Sequence, residues 1–131
     1  YVIPLKGGKG VEGLYSVSSI PIMYEEQATG KAKVFFENYK KRFGKAPSEV
    51  AQHGYFSADI AVTALERAGK KLTLNSFLKG LESIEGCENP FGGPTITFGP
   101  EKHLGTNESV LFQIKDGRWV YPTGQKQVLD Y

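Results

Sequence analysis

The sequence predicts an α/β fold of three helices and several short strands, with a β-hairpin towards the C-terminus. Residues 27–43 and 48–69 carry apolar side chains at helical spacing, parted only by Gly44-Lys45-Ala46-Pro47. Two short apolar runs, 110–115 and 118–121, flank Asp116-Gly117, the dipeptide that favours a two-residue hairpin turn. Residues 85–93 read as a glycine-rich loop before a short strand at 95–98.

In chain order, residues 2–5 are expected to be a short extended piece, cut by Pro4, which removes a ladder donor. Gly7-Gly8-Lys9-Gly10 marks a turn. Residues 11–17 alternate weakly and predict a strand that runs out through Ser18-Ser19-Ile20-Pro21, with Pro21 keeping the exit extended.

The first long helix is expected over residues 27–43, where Ala32, Phe35, Phe36, Tyr39 and Phe43 form one stripe. Gly44 terminates it and Pro47 prevents read-through. Ser48 then caps a second helix, and Gly69 ends it in a left-handed conformation. Its small residues Ala51, Gly54, Ala58 and Ala61 predict close backbone approach to a neighbour. A third helix, residues 74–83, places Leu74, Phe77, Leu78 and Leu81 on one face behind Thr73 as cap. Gly99-Pro100 stops the strand at 95–98, and the tail after Tyr121 has no clear period.

A chain of 131 residues suits one ordinary domain and can bury a core without staples. Sixteen basic against fourteen acidic side chains leave a formal charge of +2, too little to argue for nucleic acid or an anionic membrane. The lone Cys87 forms no internal disulfide, and its acidic neighbours raise the thiol pKa, so it reads as a loop thiol. No run of 18 apolar residues spans a membrane. The first residues lack the pattern of a signal peptide and read as the interior of a longer chain.

Candidate catalytic motifs fail on their spacing. Gly7-Gly8-Lys9-Gly10 lacks the four-residue gap and the Ser/Thr of a phosphate loop. His53 and His103 have no Cys or carboxylate at metal-ligand spacing, which leaves His53 as a pocket-lining candidate at most. No nucleophile, base and oxyanion site assemble. Glu25-Glu26 suit a helix entrance better than a glycosidase pair. Lys31, Lys33, Lys40, Lys41, Arg42 and Lys45 mostly avoid the aromatic stripe and read as a solvated face. A non-enzymatic chain with neither metal nor cofactor is expected.

The punctuation is more specific than any of these. F-E-N-Y-K-K-R-F-G at 36–44 is followed by H-G-Y-F-S-A-D-I-A-V-T-A-L-E-R-A-G at 53–69, then T-I-T-F-G-P-E-K-H and V-L-F-Q-I-K-D-G-R-W-V. In this order, across residues 10–121, they resemble the C-terminal part of the type I periplasmic solute-binding proteins, the branched-chain amino acid receptor family of ABC importers. The resemblance implies a fragment of a two-lobed periplasmic-binding-protein type I fold, with helices flanking a mostly parallel sheet. Residues 1–21 would be the last strand of the second lobe and a crossover. Residues 22–93 would be the helical return to the first lobe, and 94–131 the third crossover and the C-terminal hairpin of the second lobe.

The same resemblance implies a binding protein that captures an amino acid or related small acid or amide between its lobes and delivers it to an ABC permease. Its contacts here would be Ser18 and Ser19 at the crossover, with Val50, Ala51, Gln52 and Tyr55 at the start of the second long helix. Tyr55 also lies on the apolar stripe, where it serves packing equally well. Location would be periplasmic or extracellular, with a signal peptide or lipid anchor on the parent chain. Alternatives are a ligand-sensing regulatory domain of the same fold and a self-contained α/β interaction module. Elements drawn from two lobes do not make one closed core. The chain is therefore expected to need its missing N-terminal portion or a second copy of itself.

Overall fold

Val110, Phe112 and Ile114 alternate with Leu111, Gln113 and Lys115, and this period of two builds the longest strand of the chain. The computed structural model describes residues 2–19, 22–124 and 128–130. In order they form helix α1 (Val2–Gly7), a 3₁₀ turn (Gly8–Val11), strand β1 (Tyr15–Ser18) and a second 3₁₀ turn (Glu25–Gln27). Helices α2 (Gly30–Phe43), α3 (Glu49–Ala68) and α4 (Leu74–Glu82) follow, then strands β2 (Glu108–Lys115), β3 (Arg118–Val120) and β4 (Val128–Asp130).

The α/β class holds, but the expected mostly parallel sheet is antiparallel in every pairing among the described residues. β1 lies along one side of β2, while β3 and β4 share the other side. A parallel neighbour needs a crossover helix packed on the same sheet. Here the helices instead gather around a core of their own, Ala32, Phe36, Phe56 and Phe91. The sheet has a second core, Val110, Phe112, Ile114 and Trp119. The helices and the sheet thus each carry a core of their own.

The hairpin forms where the sequence placed it. Asp116 and Gly117 take φ values of 53° and 70°, the pair of positive angles that a type I′ turn requires. Glu12 reinforces the turn: its carboxylate accepts the N–H groups of Asp116 at 2.7 Å and Gly117 at 3.3 Å. β3 covers only the last residues of β2, which leaves the first part of that edge open. The tail expected to lack structure fills it, with Val128 opposite Val110 and Leu129 opposite Ser109.

Several boundaries move for local reasons. Residues 2–5 are helical rather than extended, because a proline in the first turn of a helix forfeits no hydrogen bond. The strand expected over 11–17 shrinks to β1, since Gly8–Val11 closes a 3₁₀ turn. Gln27 belongs to the turn before α2: its Oε1 accepts the Tyr24 N–H at 2.9 Å, and Ala28 and Thr29 are extended. The strand at 95–98 is an isolated bridge between Ile96 and Cys87. Ile20 and Pro21, in the expected crossover, and Gln125, Lys126 and Gln127 in the tail lie outside the described residues.

Ser48 and Thr73 cap α3 and α4 as read, each hydroxyl accepting from a backbone N–H three residues on. The close backbone approach falls elsewhere. Gly54 and Ala58 are exposed, and α3 meets α4 tightly where Gly80 faces the Ala64 carbonyl. That contact lies beyond all four of the small residues singled out in α3.

Candidate ligand-binding cavity

β1 carries its side chains in an inverted sense. Ser16 and Ser18 pair across from Phe112 and Val110 on the face of the sheet core, while Tyr15 and Val17 take the opposite face and are 56% and 57% exposed. Hydroxyls thus stand beside the apolar core. Next to them a cavity of about 280 Å³ opens between the sheet and the helices. Ser16, Val17 and Ser18 form one wall, and Phe112 with Trp119 forms the second.

The third wall is the beginning of α3. Ser48 sets the first turn in place, and the helical period then brings Glu49, Val50 and His53 to the opening. Val50 is 72% exposed and projects from the helix, whereas the Glu49 side chain is half-buried. A carboxylate in this first turn is stabilised by the positive end of the helix dipole. Ile22 and Ile3 complete an enclosure that is mainly apolar with a few hydroxyl and ionisable groups at its edge. Such a lining suits a small amphipathic molecule.

Of the six residues singled out in the sequence, Ser18 and Val50 line this cavity. Ser19 is exposed beside it, and Ala51 is half-buried one position into α3. Gln52 is fully buried behind the wall, where its amide holds both backbone groups of Met23: Oε1 accepts at 3.2 Å and Nε2 donates at 2.9 Å. Tyr55 packs inward, with its ring 4.5 Å from that of Phe35 and 5.9 Å from that of Phe91. His53 does reach the lining. Ser16, Ile22, Glu49, Phe112 and Trp119 were missed as site residues. The hairpin residues read from sequence only as apolar strand positions, and no local pattern marks Glu49 as facing a cavity.

The segment before α2 borders the cavity through Ile22 and carries several side-chain ties. Tyr24 Oη accepts the Trp119 N–H at 2.9 Å, and the Arg118 guanidinium carbon lies 3.9 Å from the centre of the Tyr24 ring. Arg118 also donates to the Glu26 carboxylate. That hydrogen bond holds the Glu26 carboxyl below its usual value and raises Arg118. A wider hollow of about 470 Å³ lies beside this segment, bordered by Glu25, Glu26 and Tyr39. Its two carboxylates are already engaged by Lys40 and Arg118.

Elsewhere the ionisable groups offer little chemistry. Burial pushes the Cys87 thiol up, with Asp59 adding to it, so the group is a poor nucleophile. Burial likewise raises the Tyr121 phenol. Among the described residues no cluster of His, Cys, Asp and Glu is arranged to hold a metal ion, and no helix is long and apolar enough to cross a membrane.

A family model described as periplasmic binding protein matches residues 2–118. No curated protein matches the chain significantly. Among solved structures, a branched-chain amino acid ABC transporter protein from Thermus thermophilus with bound valine is similar at 20% identity and a TM-score of 0.72, over 96% of this chain and 36% of that one. A leucine-binding protein from Thermotoga maritima aligns at 24% identity and a TM-score of 0.64, covering 95% and 33%. A solute-binding protein of an ABC transporter from Rhodopseudomonas palustris, in complex with 3,4-dihydroxybenzoic acid, aligns at 23% identity and a TM-score of 0.66, covering 98% and 34%. The chain thus spans about a third of the length of these two-lobed relatives.

Proposed function

The chain belongs to the periplasmic binding protein family, and from that premise we propose that it is part of the solute-binding component of an ABC importer. In this reading the parent protein works in the periplasm or outside the cell, captures a small amino acid or aromatic acid, and presents it to a permease. The observation that carries the reading is the cavity at the seam between the two cores. It draws walls from the sheet and from the start of α3, so a molecule seated there touches both groups at once.

The mechanism is differential contact. A solute that meets both groups only when they approach binds the closed arrangement better, and by that difference it shifts the equilibrium towards closure. Residues 1–21 and 94–131 are proposed to serve one lobe and residues 22–93 the other. Ser18, Ser19 and Val50 are proposed as ligand contacts, joined by Glu49 and His53. Ala51, Gln52 and Tyr55 are proposed to shape the wall from behind. No proton or electron is transferred, and the solute leaves unchanged.

Calorimetric titration of the intact protein with valine, leucine and benzoate tests this. At least one is expected to bind. Val50→Arg, which fills the opening with a long cation, is expected to weaken that binding at least about tenfold. Binding by none of the three, or unchanged affinity in the variant, would overturn the assignment.

A further inference from the structure

The segment 22–27 is tied to the two cores in alternation. Gln52 of α3 grips Met23, and the Trp119 N–H of β3 meets Tyr24. Lys40 of α2 pairs with Glu25 at 3.0 Å, and Arg118 of β3 pairs with Glu26. Successive residues therefore report to the helices, the hairpin, the helices and the hairpin again.

The tie at Tyr24 follows from hairpin geometry. Lys115 and Arg118 close the two-residue turn, so the next pair, Ile114 and Trp119, is a non-hydrogen-bonded one. The Trp119 N–H consequently points away from β2, towards the open edge of the hairpin, and the Tyr24 hydroxyl satisfies it there. An exposed ion pair by itself contributes little. Here, however, the Arg118 guanidinium is held by a carboxylate and an aromatic face together, which fixes it as neither does alone. Trp119 and Ile22, the residues on either side of this junction, are both walls of the cavity.

We infer that Tyr24, Glu26 and Arg118 form a clasp that locks the linker to the hairpin, so that residues 22–27 act as a fixed pivot between the two cores and Tyr24 and Arg118 are positioning residues for the cavity. The clasp concerns the geometry of the wall and stands independently of which solute the cavity receives.

Hydrogen–deuterium exchange of the intact protein, followed by peptide mass spectrometry, tests it. Tyr24→Phe keeps the ring beneath Arg118 and removes the hydroxyl that accepts the Trp119 N–H. It is expected to speed exchange in the peptide holding Trp119 by roughly 2- to 12-fold, the factor that one net hydrogen bond supplies. Arg118→Ala is expected to speed exchange across the linker as far as the Met23 amide, whose acceptor Gln52 the change does not touch, and Arg118→Lys to restore part of the protection. Peptides from β2 should not change. Unaltered exchange at Trp119 in Tyr24→Phe overturns the clasp. An effect of Arg118→Ala confined to β3 overturns the pivot. Should Arg118→Ala unfold β2 as well, Tyr24→Phe decides the clasp and the linker peptide of Arg118→Lys decides the pivot.

Discussion

Glu26 shows how little of a side chain's role is written beside it in the sequence. Next to Glu25 it reads as a helix-entrance acid, yet its partner, Arg118, lies 92 positions away. Because that partner lowers the Glu26 carboxyl from its ordinary 4.5, the ion pair contributes its small stabilisation fully above that value and loses it as pH falls through the lowered one. The Glu26 carboxyl resonance in an NMR pH titration is expected to show a midpoint below 4.5, and Arg118→Ala to move it back towards that value. Gln52 makes the same point for burial. At the expected helix start it was a ligand candidate, and only the arrival of the Met23 backbone 29 positions earlier turned it into an internal splint.

At the scale of elements, the signals that act within a few residues were legible. Ser48, Thr73, Gly44, Gly69 and Asp116-Gly117 sit at the boundaries they specify, because caps and tight turns are local hydrogen-bond and φ requirements. Packing between elements was not legible. The stripe of small residues on α3 suggested close approach near Gly54, and the contact lies at Ala64 instead, where a Cβ on Gly80 would stand 2.3 Å from the Ala64 carbonyl oxygen. Gly80→Ala gains up to about 1 kcal/mol of helix propensity. It must also push apart two backbones that cannot yield as a side-chain end would. A net loss of about 1–3 kcal/mol is expected, read as a lower urea midpoint of the intact protein, with the α3 and α4 amides losing protection first.

At the scale of the molecule, two cores with separate memberships replace a single one. Apolar side chains that one closed core would cover stay in the open: Leu74 is 76% exposed on α4, and Tyr15 and Val17 are exposed on β1. The chain spans about a third of its solved relatives, and a surface of this kind is an association liability. The 131-residue chain studied alone is therefore expected to associate or to unfold in more than one step. Native mass spectrometry with scanning calorimetry checks this, and a monodisperse monomer with one cooperative transition would contradict it.

By itself the sequence determined the α/β class, the long helices with their caps, the hairpin and the family resemblance, all of which rest on short-range spacing or on the order of motifs along the chain. The tertiary structure alone decided the antiparallel sense of the sheet, the docking of the tail on the open edge of β2, the inverted faces of β1 and the grouping of Ser18, Val50, His53 and Trp119 around one cavity. Each of those depends on pairings between residues tens of positions apart. Local propensity carries no information about which distant partner will satisfy an edge donor, cover an apolar face or meet a charge.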